Sequence, residues 1–566
     1  MRTAPFRGYD RVVFWLLALL PLGAVIIAFI LPYGAALVGG IGKAAEPAAV
    51  LRNSSLLPVV LFTLRQALLS TLMALVLGLP GAWYIGSGGG RFFGALRACI
   101  SIPFAMPSIL VVLGFVLFFG NAGWANRLLM AISGARTGPL RILYKPEAII
   151  LAHGFYNFPL VLRLVGDGLL KARRAYAPAA ATLGATPFQT SLTILFPIAL
   201  PSLLAAALLV FLYSFTSFAV VLVLGGGPAA TTLAVEIYRY ARISLDFSSA
   251  GMLACIETAI AGLVFIGYLF FEGKSRTIIP DLVERPLETR GTLWGAAVII
   301  LYGLGMCFFV LGPLVSIPIE SFLSRTSRAS APGISLRWWR SLGERSIPAL
   351  FRSIFLALLS ATLACMLASL AAAAATLSRT TAGAPAKPER SGTGSFLGTL
   401  LRAVATAPLV SSGIVLGLGW LILYGRDHAR SIGAVAAVHA VTALPFAFNS
   451  ISEGLKALPL NTMNAASVFG AGPVQRIVTV ALPLSMRRLR AAWGFSAAIS
   501  LGELNAIMIL GIEDWETLPL LIYRAAGSYR YGTACAAGTL LILSCAGAFL
   551  LSEAGAGTRK KQCHGP

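Results

Sequence analysis

Apolar runs close to 20 residues long recur along this chain, and no other feature restricts its fold as severely. Such a run, coiled at 1.5 Å per residue, crosses the roughly 30 Å hydrocarbon layer of a bilayer once. The first, VVFWLLALLPLGAVIIAFIL, follows the basic stretch MRTAPFRGYDR. It is longer than the 7 to 15 residues of a signal-peptide core, so it reads as a retained span. Further runs lie at 58–86, 97–119, 147–166, 198–224, 248–271, 292–318, 348–377, 402–424, 432–451, 484–510 and 534–552. They are continuous rather than alternating, which argues for helices and against a barrel. The expectation is an all-α membrane protein of about 12 transmembrane helices. Only 11% of residues are charged and 57% are hydrophobic, against roughly 25% charged in a soluble domain. That excludes a soluble enzyme, a disordered chain and a nucleic-acid binder, so no nucleic acid is expected as a partner.

The 44 Lys and Arg outnumber the 21 Asp and Glu, a net charge of +23. In a membrane protein such residues sit between spans, where topology selection and anionic headgroups account for them. Twelve spans put both termini on one side. Lys171–Arg174 (KARR), Met486–Arg490 (MRRLR), the N-terminal Arg2, Arg7 and Arg11 and the C-terminal Arg559, Lys560 and Lys561 then all fall inside. Cytoplasmic N- and C-termini are therefore expected. The seven cysteines show no CxxC spacing and mostly fall within apolar runs, as packing residues do.

The chain repeats once. ALLS at Ala67 recurs at Ala357, an offset of 290, and LRACISIP at Leu96 recurs as LRAVATAP at Leu401, an offset of 305. At 286, His153, Pro159, Gly168, Gly184, Pro187, Gln189 and Pro197 meet His439, Pro445, Gly454, Gly470, Pro473, Gln475 and Pro483. At 285, Ile237-Tyr238-Arg239 meets Ile522-Tyr523-Arg524. The offset changes only in polar segments, as insertions in a duplication do. The expected division is 1–290 and 291–566, two parallel six-span repeats, and parallel repeats enclosing a path are transporter architecture.

The most specific signal lies in the 286 register: PAAATLGATPFQTSLTILFP from Pro178 to Pro197 and NAASVFGAGPVQRIVTVALP from Asn464 to Pro483. Both fit A-A-x-x-x-G-x(9)-[IV]-x-[LF]-P. The pair resembles the EAA loop of ABC importer permeases, through which the membrane subunit holds its ATPase. Pro178 and Asn464 replace the motif's Glu. The resemblance extends through SFTSFAVVLVLGGGPAATTLAVEIYR (Ser214–Arg239) and SLGELNAIMILG (Ser500–Gly511) to the fused permeases of thiamine and ferric-iron importers. It implies a type I ABC importer permease fold, with coupling loops at 172–197 and 457–483. The ATPase-coupling residues it implies are Ala179, Ala180, Gly184, Ala185, Pro187 and Pro197, with Ala465, Ala466, Gly470, Ala471, Pro473 and Pro483. It further implies two copies of a separate ATP-binding subunit, which carry the ATP and Mg, and a periplasmic or lipoprotein substrate-binding protein. The setting is a bacterial inner membrane. The chain has no G-x-x-x-x-G-K-[ST] phosphate cradle, so no ATPase activity and no bound cofactor are expected of it.

Within the spans, Glu503 is an ionisable group at membrane depth and so a candidate for the translocation path near an outer gate. Ser500 and Asn505 flank it, and Ser214, Thr216 and Ser217 occupy the matching stretch of the first repeat, Ser217 standing where the second has Glu503. Together they are expected to form a polar ring along the path; helix packing through small hydroxyl residues is the alternative. His153 and His439 are repeat mates that read as satisfied interior groups rather than metal ligands. Thiamine or its phosphates is the favoured substrate, ferric iron the alternative. An ion-coupled secondary transporter is a remote third, since it leaves the doubled loop unexplained.

Overall fold

A computed structural model of the chain describes residues 8–41, 56–86, 106–225, 227, 230–278, 293–324, 333–381, 393–458, 460–512 and 515–553. Among these the structure is helical apart from one two-residue strand pair, Leu323–Ser324 with Gly333–Ile334. The LRACISIP segment, Arg2, Arg7, Arg559, Lys560 and Lys561 lie outside the described residues.

Among the described residues ten helices are long and apolar enough to cross a membrane, and the pair Phe396–Val410 and Gly413–Ala429, bent by 102°, makes an eleventh if taken as one span. This is close to the expected number of about 12, and the helices depart from the expected runs at three places. The run at 402–424 bends at Ser411 and Ser412, where Ser412 caps the second helix through Ile414 N. The run at 198–224 stops as a helix at Phe215 and resumes as Ala219–Leu224. The run at 484–510 divides in the same register, into Met486–Gly502 and Asn505–Leu510. Arginines 487, 488 and 490 occupy the start of its 17-residue first part, which leaves too short an apolar stretch for a full crossing.

The residues form two compact units, and neither is a contiguous half of the sequence. One comprises Met1–Gly39, Gly343–Leu521 and Thr539–Pro566; the other comprises Gly40–Leu342 and Ile522–Gly538. Each repeat's first helix has thus left its own repeat. In the first unit Trp420 Nε1 donates to Ala28 O at 3.0 Å and the Tyr424 hydroxyl to Ile27 O at 2.8 Å. Gly419 lies so close to the Pro32 carbonyl that no side chain fits between them. In the second unit, the helix Leu293–Phe322 donates from the Tyr302 hydroxyl to Leu77 O at 2.6 Å and packs Phe309 against Phe115, Phe119 and Phe155. The boundary at 290 and 291 describes a duplication of sequence, and packing follows a different division.

Within the second unit, Leu56–Gly86 and Pro146–Thr182 pack through a seam of glycines. A Cβ on Gly78 would stand 2.9 Å from Phe158 O, one on Gly86 2.5 Å from Leu169 Cβ, and one on Gly166 2.9 Å from Ile85 Cβ. Helices in lipid gain little hydrophobic drive from associating, so close backbone approach through small residues supplies the contact. The first unit makes the equivalent contact between Gly343–Thr381 and Ile432–Lys456 with alanines: Ala364, Ala440 and Ala443 form one buried cluster. In the repeat register Ala368 and Ala371 replace Gly78 and Gly81, and Ala440 replaces Gly154.

Candidate functional site

The two copies of the motif fold into the same turn. Pro146–Thr182 runs 37 residues and carries Ala179 and Ala180 at its C-terminal end. Gly184 then adopts φ +81, with its N–H bonded to Ala181 O and that of Ala185 to Ala180 O, both at 3.0 Å. In the second copy Gly470 adopts φ +83, its N–H bonded to Ser467 O and that of Ala471 to Ala466 O, again at 3.0 Å. This six-to-one closure is a helix C-terminus ended by a left-handed residue, a conformation that favours glycine. A Cβ on either glycine would meet nothing within 4 Å, so conformation alone explains the residue. Pro187 and Pro473 each open one helical turn, a π-helical turn follows at Thr190–Leu195 or Arg476–Ala481, and Pro197 and Pro483 sit in the first turn of the next helix.

The copies differ in support. Thr186 and Gln189 form a reciprocal capping box in the first. In the second, Arg476 reaches across the loop to Ser467 Oγ at 2.6 Å. Ala179 and Ala180 end a continuous long helix, whereas Ala465 and Ala466 lie on a separate nine-residue helix, Leu460–Val468. The sequence carries Pro459 between that helix and the preceding one, where the first copy has Arg173. Each turn presents one large apolar side chain directly before its glycine: Leu183 is 88% exposed and Phe469 is 90% exposed. They occupy the same register position.

The predicted path residues gather at the two helix breaks. In the first repeat Thr216 ends the Phe196–Phe215 helix and bonds back to Leu212 O, and half-buried Ser217 lies within the break. Phe218 then starts the short helix without a side-chain cap. In the second repeat the break is at Glu503 itself, whose backbone is extended (φ −73°, ψ 118°). Its Oε1 accepts from Asn505 N at 2.9 Å and Ala506 N at 3.4 Å. The carboxylate therefore caps the orphan amides opening Asn505–Leu510, where negative charge is favoured.

Ser214 and Ser500 belong to buried polar contacts rather than to the breaks. Ser214 accepts from Asn157 Nδ2 at its hydroxyl (3.2 Å) and from Gln66 Nε2 at its carbonyl (2.8 Å). Ser70 donates to Gln66 Oε1 at 3.5 Å and lies 3.4 Å from His153 Nδ1. This chain of polar groups joins three helices inside the second unit. In the first unit His439 Nδ1 instead meets Ser500 Oγ, the repeat mate of Ser214, at 2.9 Å; Ser360, the repeat mate of Ser70, is buried and has no partner for its hydroxyl among the described residues. Each histidine has one nitrogen engaged and Nε2 buried without a hydrogen bond. The histidines are thus tied to serines, and sequence reasoning missed Gln66, Ser70 and Asn157. Polar residues inside long apolar runs were the available signal. Among the described residues no three His, Cys, Asp or Glu side chains are grouped so as to hold a metal ion.

Residues 78–273 match the family described as the binding-protein-dependent transport system inner membrane component. That stretch contains the Gly184 turn and the first helix break. The chain resembles a fused ABC importer permease. Over nearly its whole length it is similar to proteins called thiamine transport system permease protein ThiP. The protein from Haemophilus influenzae is 27% identical over 536 residues, 92% of this chain and 94% of its own. That from Brucella suis is 29% identical over 515 residues, 88% of each chain. The spermidine/putrescine transport system permease protein PotB of Escherichia coli is 28% identical over 211 residues, 37% of this chain and 76% of its own. Full-length similarity to proteins of the same length distinguishes the ThiP relatives from this partial match.

Proposed function

We propose that this permease imports thiamine across an inner membrane, drawing energy from two copies of a separate ATP-binding subunit and substrate from a binding protein outside. The observation that carries the coupling is the doubled turn: the same hydrogen bonds, the same left-handed glycine and one exposed apolar side chain, Leu183 or Phe469, in one register. An apolar side chain left in water at the tip of a rigid turn suits insertion into a groove on a partner. Two such tips suit two ATPase copies. Thiamine is favoured because the full-length relatives carry that substrate in their names.

In this reading the turns lie on the cytoplasmic side with both termini, beside Lys171, Arg173, Arg174 and the Arg487–Arg490 segment. Substrate passes along residues at the helix breaks, Thr216 and Ser217 in one repeat and Glu503 and Asn505 in the other. Discontinuous helices expose backbone polar groups at membrane depth, and such groups serve solutes in other transporters. Ser214 and Ser500 hold neighbouring helices in place behind them.

The test is reconstitution of the permease in liposomes with its ATPase and binding protein. The expected result is ATP-dependent, vanadate-sensitive thiamine accumulation. Ferric-iron uptake without thiamine uptake overturns the substrate. Uptake by the permease alone, driven by a proton or sodium gradient, overturns the coupling.

A further inference from the structure

The second unit contains an open pocket of about 190 Å³. Four tyrosines line it, Tyr144, Tyr523, Tyr529 and Tyr531, over an apolar floor that includes Ile109, Val112 and Leu222. The Tyr144 and Tyr531 hydroxyls lie 3.4 Å apart, and the rings of Tyr529 and Tyr531 stand at 82° with centroids 6.2 Å apart. Among the described residues no Lys, Arg, Asp, Glu or His lines the pocket, although the chain carries 44 Lys and Arg. Tyr144 directly precedes the Pro146–Thr182 helix, whose other end carries the Gly184 turn. At 1.5 Å per residue those 37 residues separate the two by roughly 55 Å, so the pocket opens at the end of the unit remote from the coupling turn.

Two of these tyrosines are held at positive φ, Tyr144 at 61° and Tyr529 at 58°, which disfavours any residue but glycine and, to a lesser degree, Asn or Asp. The left-handed residue itself belongs to the helix-ending turn, since the first repeat ends its corresponding short helix with Leu245 at φ 54°. The aromatic ring belongs to the second repeat alone. Tyr529 is 78% exposed and Tyr144 50% exposed, so neither ring is there to fill a core. Exposed aromatic rings at a concave, uncharged site offer faces for stacking and for a cation, which the ring's electron-rich face attracts. The same site offers no Lys or Arg to an anion.

We propose that this pocket receives a flat organic cation at the outer end of the permease, before it enters the path, and discriminates against its phosphate esters. The proposal rests on the thiamine reading for its candidate ligand: thiamine has a cationic thiazolium ring, and its phosphates add negative charge that the pocket leaves unmatched.

The experiment is calorimetric titration of the full chain in lipid nanodiscs with thiamine, thiamine monophosphate and 3-deazathiamine, in which an uncharged thiophene replaces the thiazolium. Thiamine is expected to bind, and the other two to bind at least about tenfold more weakly. Tyr523→Leu and Tyr531→Leu are expected to weaken thiamine about tenfold, while Tyr523→Phe, which keeps the ring face, stays within about threefold. Each variant is checked for wild-type melting temperature. Absence of thiamine binding, equal binding of 3-deazathiamine, or binding unchanged in both Leu variants overturns the pocket. ATP-dependent thiamine uptake by the reconstituted wild-type system is read separately. Its presence with an unresponsive pocket leaves the transport reading standing, and its absence with a responsive pocket removes that reading and leaves the pocket.

Discussion

The two repeats are most alike where they turn outside the membrane and least alike inside it. At Gly184 and Gly470 the same atoms make the same hydrogen bonds at an offset of 286. Within the bilayer, the first repeat has a glycine seam, a five-residue polar chain from Gln66 to Ser214 and an uncapped short helix. The second has an alanine seam, one His439–Ser500 contact and a short helix capped by a carboxylate. Under the proposed function, a duplicated chain that meets two copies of one partner must keep both meeting points alike, whereas nothing in that reading requires the two repeats to satisfy their buried groups in the same way.

The largest effect expected is at the conserved geometry. Gly184→Glu and Gly470→Glu each put a bulky charge on a left-handed residue that no other side chain favours, at a backbone penalty of about 1 to 2 kcal/mol. Neither Cβ meets a neighbour, so the fold survives. ATP-dependent uptake and co-purification with the ATPase are each expected to fall at least tenfold in both variants, with expression unchanged. Gly184→Asn, which tolerates this conformation, is expected to retain most of the uptake. A strong loss in only one of the two Glu variants breaks the equivalence of the turns.

A smaller effect separates the seams. Gly78→Ala places a methyl 2.9 Å from Phe158 O and Val161 Cβ, and since one neighbour is backbone the helices must part, at about 1 to 3 kcal/mol. The reverse change at the matching position, Ala368→Gly, is expected to lower stability by only about 0.5 to 1 kcal/mol, mainly through chain entropy. Melting temperatures of the detergent-solubilised protein check both. Equal losses would show that the seams pack alike.

The sequence made these turns legible because glycine, proline and alanine spacing encodes local geometry, and Gly184 and Gly470 need their conformation whatever surrounds them. The helical membrane class was legible from the apolar runs for the same local reason. The breaks after Phe215 and at Glu503 were not, since so few residues interrupt long apolar stretches that averaged hydrophobicity passes over them. Nor was the exchange of first helices. It depends on contacts such as Trp420 with Ala28, separated by almost 400 positions, and no local pattern carries that information. Asn157 and Gln66 were visible as polar residues in apolar runs, but their common partner Ser214 emerges only in the fold.

The polar interiors are told apart by paired serines. Ser70 lies between Gln66 and His153, and Ser70→Ala is expected to cost about 0.5 to 1.5 kcal/mol, the net value of a hydrogen bond. Ser360 is its repeat mate and its buried hydroxyl has no partner. Ser360→Ala is therefore expected to leave the melting temperature unchanged or raise it slightly, because an unsatisfied group is removed from the interior. A loss at Ser360 equal to that at Ser70 would mean that the Ser360 hydroxyl has an interior partner after all.

The smallest effect concerns the charge of Glu503, a residue expected from the sequence to put a charge in the path and found capping a helix with its carboxylate. The two roles ask different things of the side chain. A path charge must be negative, whereas a cap needs only an acceptor in the place of Oε1, which bonds Asn505 N and Ala506 N. Glu503→Gln keeps that acceptor and gives up the charge, whose attraction to the helix start is worth about 0.3 to 1 kcal/mol. Glu503→Leu gives up both and leaves two amides unsatisfied, at about 1 to 3 kcal/mol for each one that water does not reach. If the cap is what matters, Gln is expected to keep thiamine uptake within about twofold of wild type, with a small drop in melting temperature, and Leu to lose stability clearly. Ser217, at the matching position, forms no comparable cap: the short helix it precedes starts at Phe218 without side-chain support. Its replacement by Ala is expected to change neither quantity. A tenfold fall in uptake for Gln at unchanged melting temperature would return Glu503 to the path as a charge, and the asymmetry between the repeats would then be one of substrate contact as well as of packing.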